Sequence, residues 1–373
     1  MLAIVLVRGP VPAQNAPPGL VSAEPREGRF VQTAHGYMVP WEMTIPGTEV
    51  TFQMLPVPAG VLRRPDPEVA GGVLEIPVQP FWIGRCEVTW AEYDHYQQLR
   101  DAFRLFQENR IRRLTAQNGI DAVTAPSSLY ISAYPELASE SEQKRHPAVS
   151  MTQFAARQYT TGLSLISGQV FRLPTEAEWE YACQAGSDSP WPDAADGENL
   201  SGHAWFAGNS AEETHPVGQL LPNRWGICDL HGNAAEWVLD AHDPGRSRLR
   251  KLLQNGKQPV VWPAQQYARL VCGGSWAASA EQCRSDSRMI SAASWKEIDP
   301  NLPQSPHWLA SETARQIGFR IVCPLEPPTQ DERSRYWDAD VPEVEEAIRQ
   351  TTHIQRGPVD PELPADFNRL RKP

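Results

Sequence analysis

The chain has 373 residues, enough to bury a core without help from disulfides or metals. Its formal charge of −11 argues against nucleic acid as a partner, because an acidic surface does not track a phosphate backbone. A 41% hydrophobic and 21% charged composition is that of a globular protein, and 35 prolines with 13 tryptophans predict short elements held by ordered loops. No apolar run approaches the ~18 residues of a membrane-spanning helix, so none is expected.

In chain order, Leu2 to Val7 is an apolar run, and Val11-Pro12-Ala13 has the small residues suited to signal cleavage. Together they predict export to an extracytoplasmic location. Residues 1–40 then read as signal remnant and linker. From Glu49 to Leu55, Val50, Phe52 and Met54 alternate in period two, a strand pattern. A second apolar stretch, Val73 to Trp82, is broken by Pro77 and Pro80. Thr89 is placed to cap a helix opening at Trp90. The following arginine-rich and then Pro/Ser-rich residues, 90–147, read as an inserted helical and loop excursion.

Ser150 to Gly168 has the spacing of an amphipathic helix, followed by a short strand at Val170 to Leu173. Thr175-Glu176-Ala177-Glu178 fits a capping box, in which threonine and glutamate satisfy each other's backbone N–H groups. That helix should stop at Gly186. Residues 187–271 read as loop with short strands. After residue 325 an acidic amphipathic helix is expected over Asp331 to Arg349, then a Pro-rich extended end. The domain reading is therefore 1–40, 41–325 and 326–373.

Six cysteines occur without a CxxC pair, which excludes the usual zinc-ribbon and thioredoxin spacings. The chain has no HExxH, GxSxG or Walker loop. His146, His215 and His231 read as structural or exposed.

Four segments in register carry a resemblance. They are Phe171 to Tyr181 (FRLPTEAEWEY), Asn223 to Trp237 (NRWGICDLHGNAAEW), Gly273 to Trp276 (GGSW) and Ile317 to Arg320 (IGFR). In this order they are similar to the sulfatase-modifying-factor, or formylglycine-generating-enzyme, family over residues 45–325. The resemblance implies an α+β fold, irregular and loop-rich, of C-type-lectin-like architecture.

The family oxidase converts a sulfatase cysteine to formylglycine with copper and oxygen. By the resemblance its site falls around Ser275, with two cysteines after Gly273-Gly274-Ser275. Here those positions are Ala278 and Cys283, so one thiol is missing. Cu(I) is soft and prefers thiolates, and half of its donor pair is gone. An intact copper site is therefore not expected.

The resemblance also implies a calcium ion bound by Asp229 and Glu236 through side chains and by Gly232 and Ala234 through carbonyls, a hard-oxygen set suited to Ca²⁺. The plainer alternative is a turn capped by Asp229, with Glu236 paired to an arginine. Arg284, Arg288 and Arg320 recur in the same motifs and read as arginines making several hydrogen bonds. The resemblance further implies that the Gly-Phe-Arg strand, which Cys323 ends, pairs with the Gly-Gly-Ser region, and a Cys272–Cys323 bridge is expected on that ground.

These readings lead to an exported, calcium-stabilised, monomeric binding or accessory module. Its ligand would be a protein, peptide or glycan, with a sulfatase among the candidates. Its groove would lie near Ser275, Ala278 and Cys283, lined by Trp276, Trp295 and Trp308. The alternatives are a formylglycine-generating oxidase with an altered site, or a domain docked into an assembly by its acidic C-terminal helix.

Overall fold

Alternation in the sequence becomes alternation in space along the second apolar stretch: Leu74, Ile76 and Val78 are buried while Val73, Glu75 and Pro77 face outward. The structure, a computed structural model, describes residues 16–97, 143–192, 199–254, 259–296, 306–309 and 311–351. The expected export segment, most of the 90–147 excursion and the Pro-rich end lie outside the described residues.

The strands in chain order are β1 Leu20–Val21, β2 Val31–Thr33, β3 Gly36–Met38, β4 Trp41–Thr44, β5 Thr51–Val57, β6 Gly60–Pro65, β7 Val73–Val78 and β8 Phe81–Gly84. Then come β9 Ala235–Ala241, β10 Arg269–Cys272, β11 Arg288–Ile290, β12 Ile317–Gly318 and β13 Val322–Pro324. Residues 90–97 are helical, and α1 Gln153–Ser167, α2 Glu176–Gln184, α3 Ser247–Leu253, α4 Gln330–Trp337 and α5 Pro342–Thr351 follow.

Two four-stranded sheets organise the molecule. One has the order β13-β8-β5-β4 and is wholly antiparallel. The other has the order β11-β10-β9-β12, with β12 parallel to β9. A small β1-β3-β2 sheet and the β6-β7 hairpin flank them. The result is the mixed, loop-rich α+β architecture expected. Residues 20–38, expected to be linker, instead form that small sheet and bury Met38.

The main core gathers aromatics from distant elements. Tyr93 meets Tyr159 at 5.9 Å and Phe319 at 6.0 Å between ring centroids, edge and face contacts that add to area burial. A second cluster lies under the β6-β7 hairpin, around Trp179, Val238 and Leu270.

The caps match the sequence. Thr152 accepts from the Ala155 N–H at 3.1 Å, and Gly168 closes α1 in the left-handed region at φ 73°. The Thr175 capping box forms in full, and Glu178 also takes a bidentate bond from Arg172 at 2.7 Å to each oxygen. The helix opening at Trp90 begins with a similar reciprocal pair, Thr89 and Glu92. The stretch 170–173 makes only an isolated bridge, Arg172 with Val322.

The C-terminal helix is two helices, broken where Asp340 turns inward. Arg157 of α1 donates to Asp340 and to the carbonyls of Arg335, Tyr336 and Asp338 at 2.6–2.7 Å. Arg269 binds the same carboxylate through two nitrogens. The expected acidic helix thus docks onto its own domain.

Candidate functional site

The turn from Cys228 to Glu236 uses two non-glycine residues in the left-handed region, Asp229 (φ 60°) and Asn233 (φ 64°). Asp and Asn tolerate that conformation better than most side chains. Asn233 fixes the loop beside it: its side chain accepts from the His215 N–H at 2.8 Å and donates to the His215 carbonyl at 3.1 Å. Gly232 is required for packing, since a Cβ there would sit 2.2 Å from the Trp205 carbonyl oxygen.

Glu236 lies at the start of β9 and is fully buried. Arg320 binds both its oxygens at 2.6 Å, and the Trp179 indole donates at 2.8 Å. Arg320 spends its other donors on the carbonyls of Gly84 and Cys228, each at 3.0 Å. Burial alone would lower its pKa, yet Glu236 raises it, so the guanidinium stays charged. The sequence alternative of Glu236 paired to an arginine is what the fold contains.

Asp229 keeps one oxygen open. Its Oδ2 accepts from the Gly218 N–H at 2.7 Å, whereas Oδ1 is buried without a donor. Opposite it stands Glu87, which sequence reading missed. Glu87 accepts weakly from the Ala234 N–H at 3.4 Å, and its Oε2 is also buried without a donor. The two carboxyl groups act on one another electrostatically. Burial pushes both upward in pKa, and Asp229 pushes Glu87 further. Two orphaned hard oxygens face to face fit a hard cation better than they fit an empty core. Glu236 does not fit that role, its carboxylate being held by Arg320. Among the described residues no group of three or more His, Cys, Asp or Glu is placed to hold a metal. A cation here would therefore rest on Asp229 and Glu87.

The Ser275–Cys283 segment has a different character. Ser275 is fully buried and donates to Gln316 at 2.8 Å. Ala278 and Cys283 pack with Leu200 and Ala204, joined by the partly buried rings of Trp191 and Phe206. Cys283 is 0% exposed, and burial pushes its thiol up to about 12. Its sulfur occupies space that only glycine leaves, because a Cβ on Gly274 would stand 2.4 Å away. The residues present do not fit a copper ion: one sulfur, protonated and enclosed by apolar groups, has no second thiolate beside it.

Of the expected groove tryptophans, two are core. Trp295 packs on Trp237, and Trp308 stacks on Trp90 and meets Tyr93; both are under 8% exposed. Only Trp276 remains half-buried, donating to the Arg315 carbonyl at 3.2 Å. The expected Cys272–Cys323 bridge is absent, all six cysteines being free. Cys272 lies on β10 and pairs with Glu236 and Arg288, while Cys323 lies on β13 and pairs with Trp82 in the other sheet. The Gly-Phe-Arg strand β12 joins β9, and the strand carrying Cys323 does not.

The profile of the sulfatase-modifying factor enzyme 1-like domain matches residues 35–300. The chain belongs to that family. It is similar to the formylglycine-generating enzyme of Bos taurus, 26% identical over 222 residues. That match takes in 50% of this chain and 58% of that enzyme, so the chain spans less than two thirds of its relative's length. It is also similar to two solved structures, Treponema denticola variable protein 1 (22% identity, TM-score 0.48, covering 76% of this chain and 99% of that one) and PvdO from Pseudomonas aeruginosa (24%, 0.48, 73% and 94%).

Proposed function

We propose that this family member is an exported, monomeric binding or accessory module that has left copper oxidation behind. The observation that carries this reading is the Cys283 surround: alanine at 278 and a protonated thiol sealed by Leu200, Ala204, Phe206 and Trp191. Its ligand is a protein, peptide or glycan, with a sulfatase as the protein to try first. Calcium steadies the turn through Asp229 and Glu87, two carboxyl groups that burial otherwise penalises. The ion supplies charge compensation there and no chemistry.

The second reading, a formylglycine-generating oxidase, draws on the relatives' name and on the retained Cys283. One experiment separates the two. Protein loaded with Cu(I) is given a peptide with the sulfatase Cys-x-Pro-x-Arg stretch, and the product is read by mass spectrometry. The binding module returns the peptide unchanged; an aldehyde product establishes the oxidase. Calcium is tested apart from activity: melting temperature should rise with Ca²⁺ over chelator in the parent and not in Glu87→Gln. An equal rise in both removes Glu87 from the site.

A further inference from the structure

A second pair of side chains sits one residue upstream of the Glu87 and Asp229 carboxyl groups. Cys86 follows β8, and Cys228 opens the turn of Asp229. The Cys228 N–H donates to the Arg85 carbonyl at 2.8 Å, so the two segments run side by side. Cys86 is the residue next to Arg85, so the two cysteines sit on directly adjoining segments. The side chains meet as well, for the Cys86 thiol is hydrogen-bonded to the Cys228 sulfur.

The surroundings hold this meeting in place. Arg320 ties both segments through the carbonyls of Gly84 and Cys228, each at 3.0 Å, and reaches that of Arg85 at 3.4 Å. On the other side Gly218 closes over the Cys86 sulfur: a Cβ there would lie 3.2 Å from it. Access differs between the two thiols. Cys228 is 1% exposed, whereas Cys86 is only half-buried. The other four thiols, Cys183, Cys272, Cys283 and Cys323, are all buried.

We propose that Cys86 and Cys228 form a redox-active dithiol that closes to a disulfide by exchange with a disulfide oxidant, either a small-molecule disulfide or that of an oxidoreductase. Cys86, the less buried of the two, attacks the oxidant through its sulfur, a mixed disulfide forms, and one thiol departs with the Cys86 proton. Cys228 then attacks the Cys86 sulfur, and the second thiol departs with the Cys228 proton. Two protein thiols are oxidised and one disulfide is reduced to two thiols, so electrons and protons balance. The bond links β8 to the turn of Asp229, the two segments whose next residues carry the paired carboxyl groups.

The test uses the full chain. Protein is equilibrated with excess glutathione disulfide, quenched in acid, denatured, alkylated and digested without reduction. The expected result is a Cys86–Cys228 cross-linked peptide, with four of the six thiols alkylated. Dithiothreitol should restore all six, and Cys86→Ser should yield no cross-link. Six alkylated thiols after oxidant, or a bond between any other pair, overturns the proposal.

Discussion

The Glu236 turn lies within one of the segments that carry the family resemblance, the Cys283 turn follows another, and the packing around the two differs in kind. Around Glu236 the polar groups are buried and matched: Arg320 and Trp179 saturate the carboxylate, and Arg320 finds backbone carbonyls for its remaining donors. Around Cys283 the neighbours are apolar, and the sulfur is one more hydrophobic atom among them. One domain thus buries a charged side chain with its partners in one place and a thiol among apolar groups in another.

This contrast breaks most sharply at Arg320. Arg320→Ala leaves the Glu236 carboxylate buried without its partner, a change that costs about 3–5 kcal/mol. Urea unfolding monitored by tryptophan fluorescence should show that loss; a cost under 1 kcal/mol would mean that water replaces the guanidinium easily.

The second test concerns His231, which bridges the two regions. Its Nδ1–H donates to the Cys283 carbonyl at 3.0 Å, and its Nε2 faces the Cys183 sulfur at 3.4 Å. Burial lowers its pKa to about 4, against the bond to the Cys283 carbonyl, which raises it. The unfolded chain therefore binds a proton that the folded chain refuses between the unfolded value of about 6.5 and the folded value of about 4. Stability is present above that window and falls as pH drops through it, by on the order of 3 kcal/mol. Asp240, raised to about 7 by burial and by Glu176, slopes the other way: it is protonated when folded, and its stability is lost as pH rises toward 7. Unfolding of the parent and of His231→Gln at several pH values isolates the histidine. The variant should lack the acid-side slope, and parallel curves would refute the assignment.

A smaller effect is expected at the C-terminal junction. Asp340→Ala deprives Arg157 and Arg269 of their shared carboxylate, a loss of about 2 kcal/mol on the scale of charged hydrogen bonds. Limited proteolysis should then cut near α4 and α5 first. The smallest change belongs to the apolar turn. Cys283→Ala removes one heavy atom from a closed cluster and should cost about 1 kcal/mol in a thermal melt. A loss as large as that of Arg320→Ala would erase the contrast between the two regions.

Local chemistry was legible in the sequence wherever it is local in space. The Thr175 box and the Gly168 stop depend on residues within a turn of one another, so spacing alone reveals them. The pairing of Glu236 with an arginine was visible as an alternative, because both residues lie in motif segments. Glu87 was not, since its partner Asp229 comes from the far side of a long connection and no periodicity links the two. The Cys272–Cys323 expectation failed for a related reason. It assigned Cys323 to the strand that joins β9, whereas the chain crosses to the other sheet between Gly318 and Val322. The split of the C-terminal helix reflects two distant arginines drawing in Asp340, and nothing in the helix's own spacing announces them.

The clasp of Arg157 and Arg269 on Asp340 has a practical bearing on how this protein is trimmed for expression. The family profile stops at residue 300, and a plasmid ending there would also discard Arg320, the counter-charge of Glu236. Even a cut after Leu325 would strand two cations in oil with no anion to answer them. Anyone shortening the gene should carry it through Val344, whose side chain is tucked against Phe154.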